Sequence, residues 1–280
     1  MGDDSRGVSE LLGYLLLFAT VIGGTVVLST IGLGIVLDSG GEQHREIAET
    51  NVARVDAGAT DLLGGAPYRE VRLEPMGASV GYGQSYTVEI TASGGGVDLT
   101  GADAVEVNGR TLTYDLAERG RLSYVGGLVA YGQEDGVRTL VSDGPAFRTS
   151  GSRLVVQLPL LSQAPRSSTL VSASTGGQVP VVLDRGDSRL VKRVGTDSDG
   201  SLATMDGTIT VSADRLAGAW EAYFEEREAF RPRDIDGDGT VEFAADTDGD
   251  GTLDTASARF ETQRLFVRTV SVGVRLGESV

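Results

Sequence analysis

Two consecutive stretches carry the residues best suited to chemistry. Asp234-Ile235-Asp236-Gly237-Asp238-Gly239-Thr240-Val241-Glu242 is followed by Asp246-Thr247-Asp248-Gly249-Asp250-Gly251-Thr252-Leu253-Asp254, offset by twelve residues. Each unit has Asp at positions one, three and five, Gly at six and an acid at nine. Oxygens at one, three and five converge on a hard cation, Gly at six permits a sharp turn, and the carbonyl at seven adds a ligand. Left unpaired, so many neighbouring carboxylates repel one another. The spacing therefore predicts calcium as ligand, held by Asp234, Asp236, Asp238, Thr240 and Glu242 and by Asp246, Asp248, Asp250, Thr252 and Asp254. The competing reading is an acidic, solvated loop without metal.

Position twelve of the two units is Ala245 and Ser257, so the closing bidentate Glu of an EF-hand is missing. The units resemble instead the Asp-rich calcium repeats of dockerin or thrombospondin type 3 segments. That resemblance implies an Asp246 shared between the loops. Asp197-Ser198-Asp199-Gly200 lacks the third Asp and reads as a turn.

Other chemistry is sparse. There is no cysteine, which excludes disulfides, thiolate metal sites and cysteine nucleophiles. The single histidine, His44, precedes the domain that carries the Asp units, which leaves that domain no Ser-His-Asp triad and no His-ligated zinc. No Gly-x-Ser-x-Gly elbow and no phosphate-cradling Gly-Lys-Ser/Thr loop occurs. A hydrolase using two placed acids is conceivable, but nothing singles out a pair among so many. The sequence predicts a protein that is not an enzyme.

The elements that must position the loops are mostly strands. From Tyr68 to Val211 apolar residues recur at period two, with candidate strands at Ala104–Val107, Thr111–Leu116, Leu122–Tyr131, Val137–Val141, Leu154–Leu160, Thr169–Ser174, Val179–Leu183 and Thr208–Val211. Glycine-rich breaks such as Gly94-Gly95-Gly96 and Gly126-Gly127 separate them. Many short strands with turns between them suggest an antiparallel sandwich. Next comes a helix, with Asp214 as expected cap and Leu216, Trp220, Tyr223 and Phe224 as its apolar face. The lone Trp220 reads as core. A last strand within Arg259–Leu276 places Phe266, Val270, Val272, Val274 and Leu276 on one expected face. Ahead of the strands, over 42–64, Ala48, Val52, Val55, Ala59 and Leu62 form one apolar stripe, closed by Gly64-Gly65-Ala66-Pro67. This stem helix is expected to pack on its own domain, with a neighbour's stem as the alternative. The fold class is α+β: a membrane helix, a stem, then a β-rich, sandwich-like domain over 68–280 with one additional helix.

The membrane helix is read from Leu11 to Leu37, an uncharged run between Glu10 and Asp38. As a helix it reaches about 40 Å, more than the roughly 30 Å of a bilayer core. Small residues four apart, as in Ala19/Gly23 and Thr20/Gly24, would let a second helix approach closely, so an oligomer through this segment is a candidate. Before it, in the short segment 1–10, stands Ser5-Arg6-Gly7-Val8-Ser9-Glu10. This resembles the class III signal of haloarchaeal type IV pilin-like proteins, and the chain as a whole resembles an uncharacterised group of them. The resemblance implies cleavage by a prepilin peptidase between Gly7 and Val8, leaving the apolar helix on the mature chain. The alternative is an uncut anchor.

Composition agrees with such a source. Net charge is −16, and of 24 basic residues only Lys192 is lysine, a balance that resembles haloarchaeal proteins. It argues against nucleic acid as a partner, whose phosphates need a basic face. The sequence thus points to a single-pass protein in the bilayer of the cell membrane with its domain outside the cell. Its expected role is structural, in assembly or adhesion. A membrane-tethered binding module that does not assemble is the alternative.

Overall fold

The computed structural model describes residues 46–75, 77–116, 120–132, 139–140, 147–164, 167, 170–172 and 177–277. The predicted signal and cleavage point, the apolar run 11–37, His44 and the first residues of the stem lie outside them. No helix among the described residues is long and apolar enough to cross a membrane.

The stem stripe becomes a buried helix face. Helix α1 spans residues 46–64, and Ala48, Val52, Val55, Ala59 and Leu62 are all buried. It packs on its own domain, as expected. Asn51 Nδ2 donates to the Glu74 carbonyl at 2.9 Å and to the Tyr114 hydroxyl at 3.2 Å, while Asn51 Oδ1 accepts the Glu74 amide at 3.2 Å. Past its last turn Gly65 N–H returns to Leu62 O and Ala66 N–H to Asp61 O, both at 3.1 Å, satisfying carbonyls the helix leaves open.

Period-two alternation becomes fifteen strands among the described residues: β1 (Tyr68–Leu73), β2 (Ser79–Gly94), β3 (Val97–Leu99), β4 (Val105–Asp115), β5 (Arg121–Val125), β6 (Leu128–Gly132), β7 (Thr139–Leu140), β8 (Phe147–Ser150), β9 (Arg153–Gln163), β10 (Leu170–Ser172), β11 (Val179–Val194), β12 (Met205–Ser212), β13 (Ala244–Ala245), β14 (Thr255–Thr262) and β15 (Arg264–Leu276). Helix α2 (Ala217–Glu225) lies between β12 and β13. One sheet has five strands in the order β1-β11-β15-β9-β8. The other has ten, β13-β14-β12-β2-β4-β5-β6-β7, with β3 and β10 also paired to β2. The domain is β-rich and sandwich-like, with two buried clusters. One gathers Tyr86, Ile90, Ile209, Val267 and the apolar face of α2. The other gathers the α1 stripe with Val71, Leu73, Tyr124 and Val270–Leu276 positions of β15.

Several expectations need correction. The stretch Leu122–Tyr131 is two strands, β5 and β6, turning at Gly126-Gly127, whose φ angles of 58° and 103° suit a hairpin only glycine makes easily. Conversely, the separate strands expected at Ala104–Val107 and Thr111–Leu116 are one strand, Val105–Asp115. Gly109 sits opposite Tyr86, and a Cβ there would stand 2.6 Å from the ring, so the glycine makes room for an aromatic. The sandwich is not wholly antiparallel, because β15 pairs parallel with β9 from Arg264/Arg153 to Val274/Gln163. Asp214 does not cap α2. Arg215 has φ 58°, the helix begins at Ala217, and Leu216 takes the cap position with no side-chain hydrogen bond.

Phe266 shares its strand face with Val270, Val272, Val274 and Leu276, since β15 pairs with β9 without a break in register, but only the last four are buried. Along β15, Leu265 and Val267 enter the first cluster, whereas Val270 to Leu276 enter the second from the alternate positions. The switch accompanies a register shift between Arg185 and Ser188 in neighbouring β11. Phe266 is left half-buried on the outer surface, where Arg153 lies 5.4 Å and Lys192 5.7 Å from its ring centroid.

Candidate metal centre

The two Asp-rich units are two hairpin-like loops built alike. The first opens from Arg233 and closes at Glu242, whose backbones exchange hydrogen bonds of 3.0 and 2.9 Å. The second opens at Ala245 and closes at Asp254, whose amide donates to the Ala245 carbonyl at 3.1 Å. Arg233 and Ala245 are twelve apart, as are Glu242 and Asp254. The sequence repeat is therefore a repeat of backbone closure too. Sequence reading overlooked Arg233, and the twelve-residue offset was the signal that could have found it.

The base of the loops is held firmly. Phe230 precedes the first loop and is buried; Phe243 follows it and packs on the core. Both meet Phe224 of α2, at centroid distances of 5.1 and 6.2 Å. Trp220, Tyr223 and Phe147 complete this aromatic cluster, and Trp220 is fully buried, as a core residue should be. Behind the second loop, β13 pairs with β14 at Ala244/Ala256 and Ala245/Thr255.

Inside each loop the carboxylates fold the backbone back on itself. Asp234 Oδ1 accepts the Gly237 amide at 2.7 Å, Asp236 Oδ1 the Asp238 amide at 3.1 Å, and Asp238 Oδ1 the Thr240 amide at 2.6 Å. In the second loop the Asp246 carboxylate takes three amides: Gly249 at 2.8 Å, Asp250 at 3.2 Å and Gly251 at 2.6 Å. These turns need left-handed backbone, which Gly237, Gly239, Gly249 and Gly251 supply with φ between 79° and 90°.

Two groups of carboxylates result. Oxygens of Asp234, Asp236 and Asp238 lie within 4.8 Å of one another, and so do those of Asp246, Asp248 and Asp254. Either group could hold a metal ion. An all-oxygen donor set suits a hard cation rather than zinc or copper. The loops differ in detail. Asp250, at position five of the second loop, is not in its group, and its Oδ1 takes the Thr252 amide at 2.7 Å. Asp254, at position nine, is in the group and also receives the Thr247 hydroxyl at 2.9 Å. Glu242, its counterpart, is outside the first group. Thr240 and Thr252 enter the loops through their amides. Asp246 gathers with the second loop alone, so no carboxylate group spans both loops. Position twelve is out of reach: Ala245 and Ser257 are buried strand residues, and the Ser257 hydroxyl donates to Ile209 O at 3.2 Å.

The local electrostatics follow. The Thr240 amide holds the Asp238 carboxyl below its ordinary range, and the Gly251 amide does so for Asp246. Glu242 is pushed up, by desolvation and then by the charges of Asp236, Asp238 and Asp234. A cation would relieve that repulsion. Asp197–Gly200 is the turn it was expected to be, with Asp199 Oδ1 accepting the Ser201 amide at 2.9 Å.

A protein-family model covers residues 6–274, from ahead of the apolar run 11–37 into β15. The chain belongs to DUF7289, a family of unknown function. Neither the curated proteins nor the solved structures include a match.

Proposed function

We propose that this chain is a membrane-anchored, pilin-like surface protein of a haloarchaeon, with a non-enzymatic role in assembly or adhesion and calcium bound in its Asp-rich loops. The observation that carries the reading is the seat of α1. This segment follows the uncharged run 11–37 in the chain, and it is fastened along its length to β1, β4 and the second buried cluster. A tether at 11–37 would therefore pull on a packed element rather than on a loose linker. The family match supports the reading, because it takes in signal, apolar run and β-rich domain as one unit.

Calcium fits the loops better than magnesium. The carboxylates come from short, glycine-jointed turns, and such flexible oxygen cages suit the larger, irregularly coordinated ion.

Mass spectrometry of the mature chain from its native membrane tests the processing. The expected N-terminus is Val8; a mature chain beginning at Met1 or Gly2 refutes it. Calcium added to the full-length chain in high salt tests the metal. A ligand at 100 times its dissociation constant stabilises a fold by about 2.7 kcal/mol. The melting temperature is expected to rise with calcium and to lose that response in Asp234→Ala/Asp246→Ala.

A further inference from the structure

The outer face of the five-stranded sheet is basic in a chain whose net charge is −16. The register aligns Lys192, Phe266, Val155 and Arg148 in one row across β11, β15, β9 and β8. The next row toward the start of β15 holds Val194, Arg264, Arg153 and Ser150, and the row on the other side holds Leu190, Arg268 and Gln157. Five cations, among them the chain's one lysine, stand on this block without an acid between them. None of the five enters an ion pair among the described residues. At the centre Phe266 presents its ring between Arg153 and Lys192, and Leu190 at the margin is 65% exposed.

Arg153 also lines a groove of about 680 Å³ that runs past β8 and β14. Two further arginines, Arg231 and Arg259, stand along it, again without an ion pair among the described residues. Thr91, Thr149 and Thr208 add hydroxyls, and Asp206, Glu228 and Glu261 add carboxylates. Keeping unpaired arginines together costs electrostatic energy that a bound anion returns.

We propose that this basic sheet face and its adjoining groove form a binding site for an acidic polysaccharide, one whose sugars carry carboxylate or sulfate groups. The arginines supply forked donors for planar or tetrahedral anions. The groove carboxylates and threonines suit a polymer rich in hydroxyl groups. A single half-buried ring suits the apolar face of one sugar, whereas strands of bases call for successive aromatic platforms. The site needs neither the pilin-like assembly nor calcium, so its failure would leave both readings standing.

The test uses the full-length chain in detergent micelles, with polygalacturonate, dextran sulfate, neutral dextran and single-stranded DNA as probes. At least one acidic polymer is expected to bind, with dextran at least tenfold weaker. Carboxylate and sulfate are told apart by which acidic polymer binds more tightly. Arg153→Gln/Arg268→Gln is expected to weaken binding tenfold or more while Trp220 emission stays that of the folded chain. Arg54→Gln, an exposed arginine on α1 away from this face, is expected to leave it unchanged. Phe266→Leu, which keeps every charge, is expected to weaken binding severalfold. No binding of either acidic polymer, equal binding of dextran, DNA bound as tightly, or unaltered binding by the folded double variant would overturn the proposal.

Discussion

Replacing Asp56 by Asn removes a carboxylate that the fold holds at a cost. Asp56 lies on α1, and its Oδ1 is buried with no hydrogen-bond partner. The hydroxyl of Tyr124 stands beside it, itself buried and without a well-formed hydrogen bond. Desolvation pushes the carboxyl from its ordinary 3.8 up to about 6, with only partial relief from Tyr124. A shift of about two units, at about 1.36 kcal/mol each, is about 3 kcal/mol. The unfolded chain ionises near 3.8 and the folded chain near 6. As pH rises through that window the unfolded state gives up its proton first, so stability falls; above it the full cost is in place. Asp56→Asn should therefore be more stable than the parent at pH 7.5, by up to about 3 kcal/mol, which is about 6–12 °C in melting temperature for a domain of this size. The gain should shrink through pH 5 and vanish near pH 4. Trp220, the only tryptophan, is fully buried and reports unfolding by its emission. A variant that is less stable at pH 7.5, or whose advantage does not change with pH, would refute the reasoning.

Gly207→Ala should destabilise by about 1–3 kcal/mol, because the added methyl drives into the Phe260 ring and approaches Thr91 O at 2.6 Å; denaturant titration measures it. Phe224→Ala should cost about 3–5 kcal/mol, since Phe224 meets Trp220, Phe230, Phe243 and Phe147 at once, and should also blunt any calcium response by loosening the base of the first loop. Asp61→Ala should change stability by less than about 1 kcal/mol: its 2.7 Å bridge to Arg69 is half exposed, and a double-mutant cycle isolates the pair.

The parts of this fold legible in the sequence are those written in local period. The α1 stripe from Ala48 to Leu62, the strands β2, β9 and β12, and the spacing of Asp in the loops each depend on neighbours a few residues away. The parts that were not legible depend on distant ones. Phe266 is not buried with Val270 and its partners because the buried side of β15 switches beside an irregularity in β11, and nothing near Phe266 encodes that. Parallel pairing of β15 with β9 joins residues about a hundred positions apart. Asp254 rather than Asp250 completes the second carboxylate group, although a threonine amide bonds the fifth-position Asp in both loops, so the identical spacing does not encode the difference. The basic face takes its cations from four strands, so no window of sequence contains it.

The placement of β15 bears on how the domain is made. It lies in the middle of the five-stranded sheet, between β11 and β9, yet among the described strands it is the last to leave the ribosome. Until it arrives, β9 and β11 face each other across an open slot, and Val181, Leu183, Leu154 and Val156 lack the strand that covers them. Such long-range pairing is slow to form. A nascent chain would thus carry an unclosed sheet through most of its synthesis, long after residues 11–37 have emerged. Whatever membrane insertion the apolar run undergoes would precede closure of the domain.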